Sequence, residues 1–200
     1  MSVSRLSQTS VQNALQKYNN VWDGRSAVAG MDPISGITLT ATTASISFSN
    51  IPQTYTHLQL RWVCRTNGSA ISSWSGITFG LGYNSADTGY SDHYIQSAGT
   101  TPGSGTETLA NRINGFGTVN SSVSNLFGSG IIDILDYTNT NKTKVIRMTD
   151  GWDNNGATGT ATLRSGLWNS TSAITNITMG AEGFAASYAV NSTFTLYGIK

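Results

Sequence analysis

Strict alternation of apolar and polar residues is the feature that most constrains the fold of this chain. From His57 to Arg65 the sequence reads HLQLRWVCR, so two leucines, a tryptophan and a cysteine share one face. This period of two is that of a β-strand with one buried face. Comparable runs, bounded by turn residues, occur at residues 45–49, 77–83, 130–137, 143–148, 160–168, 174–179 and 193–199, with weaker ones at 90–97 and 109–116.

Residues 37–200 are predicted to form one domain. Many short strands separated by turn signals favour an antiparallel sandwich or barrel. With eight to ten strands, we expect an all-β, antiparallel β-sandwich that is jelly-roll-like. Polar loops are predicted at residues 66–69, 100–105 and 150–159.

The first 36 residues have a different pattern. Val11, Leu15 and Tyr18 recur at helical spacing and fall on one face. A helix of only about ten residues is marginal alone in water, so it must dock on the sandwich or on a neighbouring subunit. The sequence therefore predicts a short N-terminal helical arm over residues 1–36, with these three residues and Trp22 as its docking contacts.

Composition excludes several classes of protein. Charged residues make up 10% of the 200 residues and the net charge is +1, so the basic surface of a nucleic-acid binder is missing. The single cysteine, Cys64, excludes an internal disulfide framework and a multi-cysteine zinc site. Cys64 alternates in phase with the apolar residues and is predicted to be a buried small side chain. No stretch approaches the roughly 20 apolar residues that span a bilayer, and the first ten residues contain no apolar signal-like core. We expect no nucleic acid, membrane, metal or cofactor.

Candidate catalytic groups are few. Ser91, Asp92 and His93 are the residue types of a triad, but neighbours on a strand point to opposite faces. Asp133 and Asp136 could be a glycosidase pair, yet a spacing of three also separates their faces. We expect Asp133 to point outward and Asp136 to begin a turn, and we expect no catalytic residues.

The segment from Asp150 to Gly156 and the tryptophans are candidates for binding. The oxygen-bearing side chains of residues 150–156 suit calcium. Their spacing does not match a calcium-binding loop, however, and an ordinary Asn/Gly turn explains this segment as well. Tryptophans fill sandwich cores, as Trp62 and Trp168 are expected to do from their phase. Tryptophans beside polar loops can instead hold sugars, and on this reading the glycan contacts are Trp74, Trp152, Asp153 and Asn154.

Five stretches in a fixed order resemble a family of virion structural proteins of tailed bacteriophages, including phages of cyanobacteria. They are SRLSQTSVQNALQKYNNVWDG, ISFSNIPQTYTHLQLRWVCRT, GIIDILDYTNTNKTKVIRMTDG, SGLWNSTSAITNIT and FTLYGIK. The resemblance implies a β-sandwich carried on the outer surface of the particle and supplies no catalytic residues.

Three functions follow from these observations. The first is a non-enzymatic capsid decoration or cement protein, docked through its arm on the major capsid protein or another virion protein. The second is a tail or fibre module that binds host surface glycans through its loops. The third is a polysaccharide hydrolase, which only Asp133, Asp136, Asp150 and Asp153 suggest. A homo-oligomer is expected, with a trimer as one form by analogy with other virion sandwiches.

Overall fold

The computed structural model describes residues 30–67, 72–79, 89–109, 111–119, 124–155, 158–181 and 186–200. These residues form twelve strands and no helix. The strands are β1 (Met31–Thr38), β2 (Ser45–Phe48), β3 (His57–Arg65), β4 (Ser72–Phe79), β5 (Tyr90–Ala98), β6 (Thr101–Leu109), β7 (Ile113–Val119), β8 (Gly128–Ile134), β9 (Lys144–Asp153), β10 (Gly159–Trp168), β11 (Ile177–Ala181) and β12 (Thr193–Ile199). The predicted arm helix lies outside the described residues.

The strands are arranged in two sheets. One has the order β2-β11-β4-β7, and the other has the order β1-β12-β3-β8-β9-β10-β5-β6. All pairs are antiparallel except for a short parallel contact between β3 and β7, at Cys64 and Arg65, where the two sheets join. The prediction of an all-β, antiparallel architecture is confirmed.

One apolar core draws side chains from both sheets. On β3 the residues Leu58, Leu60, Trp62 and Cys64 are all buried, as their phase predicts. Trp168 on β10 is buried too, and its ring stacks with that of Tyr90. The core predictions for Cys64 and for these two tryptophans are therefore confirmed.

The prediction of a loop at residues 100–105 is wrong, because residues 101–105 belong to β6. β6 pairs with β5 along its whole length, from Thr101 opposite Ala98 to Leu109 opposite Tyr90. The reversal lies at Gly99, whose positive φ of 58° suits a residue without Cβ. Pro and Gly argue against a central strand, but an edge strand tolerates both.

Other strand limits differ from the predictions. β9 runs on to Asp153, so residues 150–153 are strand rather than loop. β8 stops at Ile134, because Asp136 adopts a φ of 49° in the turn that follows. β1 extends across the predicted boundary between residues 36 and 37 and pairs with β12.

Within the described residues, no helix has the length and apolar character that crossing a membrane requires.

Candidate functional site

A groove lies where the turn between β5 and β6 meets the end of the β9–β10 hairpin. Its volume is about 760 Å³. The main-chain N–H of Gly99 donates to the carbonyl of Gly159 at 2.7 Å and ties the two turns together. Five of its eleven lining residues carry hydroxyl side chains, namely Ser97, Thr100, Thr101, Thr158 and Thr160.

The structure brings two of the predicted glycan contacts into this groove. Trp152 and Asp153, the last residues of β9, both line it. Trp152 is only 8% exposed, so it offers a small part of its ring, whereas Asp153 is exposed. Asn154 follows directly, and its main-chain N–H donates to the carbonyl of Thr158 at 2.8 Å. The lining of the groove therefore includes an acidic residue, hydroxyl-bearing residues and an almost fully buried tryptophan.

The remaining predicted site residues lie elsewhere. Trp74 is on β4, in the other sheet, paired with Phe116 of β7. The docking residues Val11, Leu15, Tyr18 and Trp22 lie outside the described residues. The side chain of Trp74 is likewise outside the described part of the chain, so its predicted role and that of the arm stay predictions.

The acidic residues behave as their strand phase predicts. Asp92 is buried and His93 exposed, so the Ser91–His93 run does not converge on one face. Asp133 accepts a hydrogen bond from Nε2 of Gln59 at 2.7 Å on the face opposite the core. Asp136 begins a turn, and Nζ of Lys142 donates to its Oδ2 at 2.7 Å.

The electrostatics of the Asp136 turn are well defined. The hydrogen bond and charge of Lys142 hold the pKa of the Asp136 carboxyl below its usual range. The main-chain N–H of Asp136 donates to Nδ1 of His57 at 3.0 Å, which ties the turn to β3. Burial and the nearby carboxylate of Asp150 raise the pKa of the Cys64 thiol well above its usual value, which suits a buried structural side chain.

A buried polar cluster joins β10, β5 and β6, at one end of the eight-stranded sheet, to β7 of the other sheet. Nη1 of Arg164 on β10 bonds the carboxylate of Asp92 on β5, and both side chains are fully enclosed. Glu107 of β6 lies 3.8 Å from the guanidinium and accepts a hydrogen bond from Asn114 of β7 at 2.6 Å. The Tyr94 ring lies 4.4 Å from the guanidinium carbon. Burial raises the pKa of Asp92, although Arg164 opposes this shift.

The sequence analysis did not single out this cluster. Arg164 precedes Trp168 by four residues, so the alternation that places Trp168 in the core also turns Arg164 inward. That signal was present in the sequence. The identity of its partners was not, because β5, β6 and β10 meet only in the folded sheet.

A second buried cation closes the turn between β8 and β9. The ammonium of Lys144 is buried and donates to the carbonyls of Asn139, Lys142 and Thr171, at 2.9 Å and 3.2 Å for the latter two. Burial lowers the pKa of Lys144. The ammonium thus joins three main-chain oxygens of two loops through charge-assisted hydrogen bonds.

The residues that the structure describes contain no group of three or more His, Cys, Asp or Glu side chains placed to hold a metal ion. In the segment predicted to suit calcium, Asp150 is buried and Asp153 exposed on the opposite face of β9. No protein-family model, curated protein or solved structure matches the chain.

Proposed function

We propose that the protein is a non-enzymatic structural component of a tailed-phage virion, a capsid decoration or cement protein docked through its N-terminal arm. The observation that carries this proposal is the order of its strands. The proposed location is the outer surface of the particle, and the proposed partner is the major capsid protein.

The strand order supports a jelly-roll sandwich. When β1, the β9–β10 hairpin and β12 are set aside, β2 to β8 and β11 remain. In space these eight lie as first, eighth, third and sixth in one sheet, and as second, seventh, fourth and fifth in the other. With the β9–β10 hairpin inserted between the seventh and fourth strands, this order agrees with that of a jelly roll, a fold common in viral capsid domains. The sequence resemblance to virion proteins agrees with it.

The low charge of the chain supports a place among many packed copies. Charged residues are 10% of the sequence, against roughly 25% in typical globular domains. An unpaired charge that becomes buried between subunits must lose its hydration, which costs several kcal/mol. A surface of Ser, Thr and Asn avoids this cost while still forming hydrogen bonds.

Docking of the full chain onto shells that lack it tests the proposal. The variant Leu15→Asp charges the apolar face of the helix predicted from the sequence, and Asn13→Asp is its matched control on the opposite face of that predicted helix. We expect the wild type and the control to co-sediment with shells to saturation and Leu15→Asp to stay in solution. Failure of the wild type to bind shells would contradict the proposal.

The groove supports a second candidate function, binding of host surface glycans by a tail or fibre module. Its hydroxyl-bearing residues, together with Asp153 and Trp152, suit a saccharide. Thr101→Tyr fills the groove, whereas Thr108→Tyr places the same ring on the same strand outside it. If purified host polysaccharide binds the wild type and Thr108→Tyr but not Thr101→Tyr, this function is supported. Equal binding by all three argues against it.

A further inference from the structure

Strand β6 ends the eight-stranded sheet. Its nine residues pair with β5 without a bulge. Among the described residues, no strand pairs with its other side. An edge of this length presents a row of main-chain donors and acceptors to any strand that approaches.

The hydrogen-bond phase identifies which residues face outward. Gly99 N–H donates to the carbonyl of Gly159 at 2.7 Å, and Asn169 N–H donates to that of Gly89 at 2.9 Å. At both ends of β5, the main-chain N–H and carbonyl groups of odd-numbered residues therefore form their hydrogen bonds with β10. Because successive residues alternate, the even-numbered residues of β5 bond toward β6, to its odd-numbered partners. The groups left pointing away from β5 belong to Pro102, Ser104, Thr106 and Thr108.

This outward edge lacks the usual protection against pairing. Proteins block edges with charge, proline, bulges or short strands. β1 has Pro33, a register shift beside it, and Asp32 lying 3.9 Å from Lys200, while β2 has four residues. On β6 the outward residues are uncharged and exposed, and its proline stands near one end. Its one charge, on Glu107, is held inward by Asn114.

We propose that β6 pairs with β6 of a second copy of this chain, antiparallel and around a two-fold axis at Gly105. In this register Ser104 faces Thr106 of the partner subunit, and each donates to and accepts from the other. Pro102, which has no N–H, accepts from Thr108 of the partner subunit. Glu107 faces Gly103 of the partner subunit, so no like charges meet.

Two observations favour a second copy as the occupant. The outward residues are uncharged and, reversed about Gly105, pair donor to acceptor at every position except where Pro102 lacks an N–H, as an isologous interface allows. At the axis, Gly105 has no side chain, and Oη of Tyr94 lies 2.7 Å from where its Cβ would be. The two copies therefore meet at the axis with no side chain of position 105 between them.

Two of the exposed apolar side chains of the sheet lie close to this edge. Ile95, 59% exposed, pairs with Ser104, and Leu163, 46% exposed, pairs with Ile95. Pairing at β6 would extend this face across two subunits. The inference does not depend on the proposed function.

Analytical ultracentrifugation of the full chain tests the pairing. Thr106→Pro removes an N–H that points away from β5, so the β5–β6 ladder is kept, and Thr106→Val keeps that N–H. We expect a reversible dimer whose Kd rises at least tenfold in Thr106→Pro and is unchanged in Thr106→Val, with equal thermal unfolding of all three. A wild type that stays monomeric to its solubility limit, a trimer, or a dimer indifferent to Thr106→Pro would overturn the proposal.

Disulfide cross-linking tests the register independently. Residues in a hydrogen-bonded antiparallel pair have Cα atoms about 5.5 Å apart, within disulfide range. Ser104→Cys/Thr106→Cys should therefore form covalent dimers on oxidation, while Ser104→Cys alone should not. Equal cross-linking of the single variant, or none in the double variant, would contradict the axis at Gly105.

Discussion

Gly130 of β8 is required because the ring of Trp62 occupies the space beside it. A Cβ at position 130 would lie 2.1 Å from Cζ2 of Trp62 and 2.6 Å from Cε2 and Cη2. Trp62 is 4% exposed, and the void against it measures about 10 Å³. The ring cannot retreat by the ångström or more that an ordinary contact needs. We therefore expect Gly130→Ala to destabilise the fold.

The magnitude follows from two opposing effects. Overpacking of a filled core costs about 1–3 kcal/mol, and the overlap at Gly130 belongs at the upper end. Alanine in a strand recovers about 0.5–1 kcal/mol, because glycine loses more freedom on folding. The expected net loss is about 2 kcal/mol in the free energy of unfolding. Gly103→Ala is the control, since its Cβ would lie 3.6 Å from Gln96, an ordinary contact.

Urea unfolding followed by circular dichroism measures these differences as shifts in midpoint at constant slope. Trp62→Phe should rescue Gly130→Ala, because phenylalanine lacks the ring atoms that collide. It also removes an indole N–H that has no hydrogen-bond partner among the described residues. In the Trp62→Phe background we expect Gly130→Ala to lower the free energy of unfolding by less than about 0.5 kcal/mol, which is the size of the deviation from additivity seen between independent sites. The packing argument would be refuted if Gly130→Ala were as stable as the wild type. It would also be refuted if the losses in unfolding free energy from Gly130→Ala and Trp62→Phe simply added in the double variant.

Three further predictions concern buried and paired charges. Arg164→Met leaves Asp92 enclosed without its cation and should cost about 3 kcal/mol, most of which Arg164→Met/Asp92→Leu should recover, as measured by urea unfolding. Lys144→Met removes a buried donor from three carbonyls and should cost about 2 kcal/mol by thermal unfolding, whereas Lys142→Met at an exposed position should matter little. The lowered pKa of Asp136 contributes stability above its usual pKa of 3.8 that is lost as pH falls through the lowered value. Asp136→Asn should therefore flatten the acid limb of the stability profile, and an unchanged limb would contradict this assignment.

Strand identity was predictable where one face is apolar. β3 was predicted from His57 to Arg65 and has those limits, because every second side chain enters the core. β6 was missed because its outward residues are small and polar and its apolar alternation is absent. Its pairing with β5 stabilises it as a strand, and a tertiary contact of this kind leaves no local sequence signal.

The candidate site was predictable only in part. Trp152 and Asp153 were predicted to lie in a loop, but β9 continues through them, so their side chains alternate across the strand just before the β9–β10 turn. The other wall of the groove comes from the β5–β6 turn, about 50 residues earlier along the chain, and only the register of β5 against β10 brings it near. Spacing along one segment could not reveal it.

The proposed place of this protein in a virion is tested most directly by its copy number on purified tailed-phage particles from the source of the gene. Quantitative peptide mass spectrometry, normalised to the major capsid protein, provides that number. A decoration or cement protein is expected at a copy number comparable with that of the shell protein. Absence of the protein from purified particles would contradict the virion proposal.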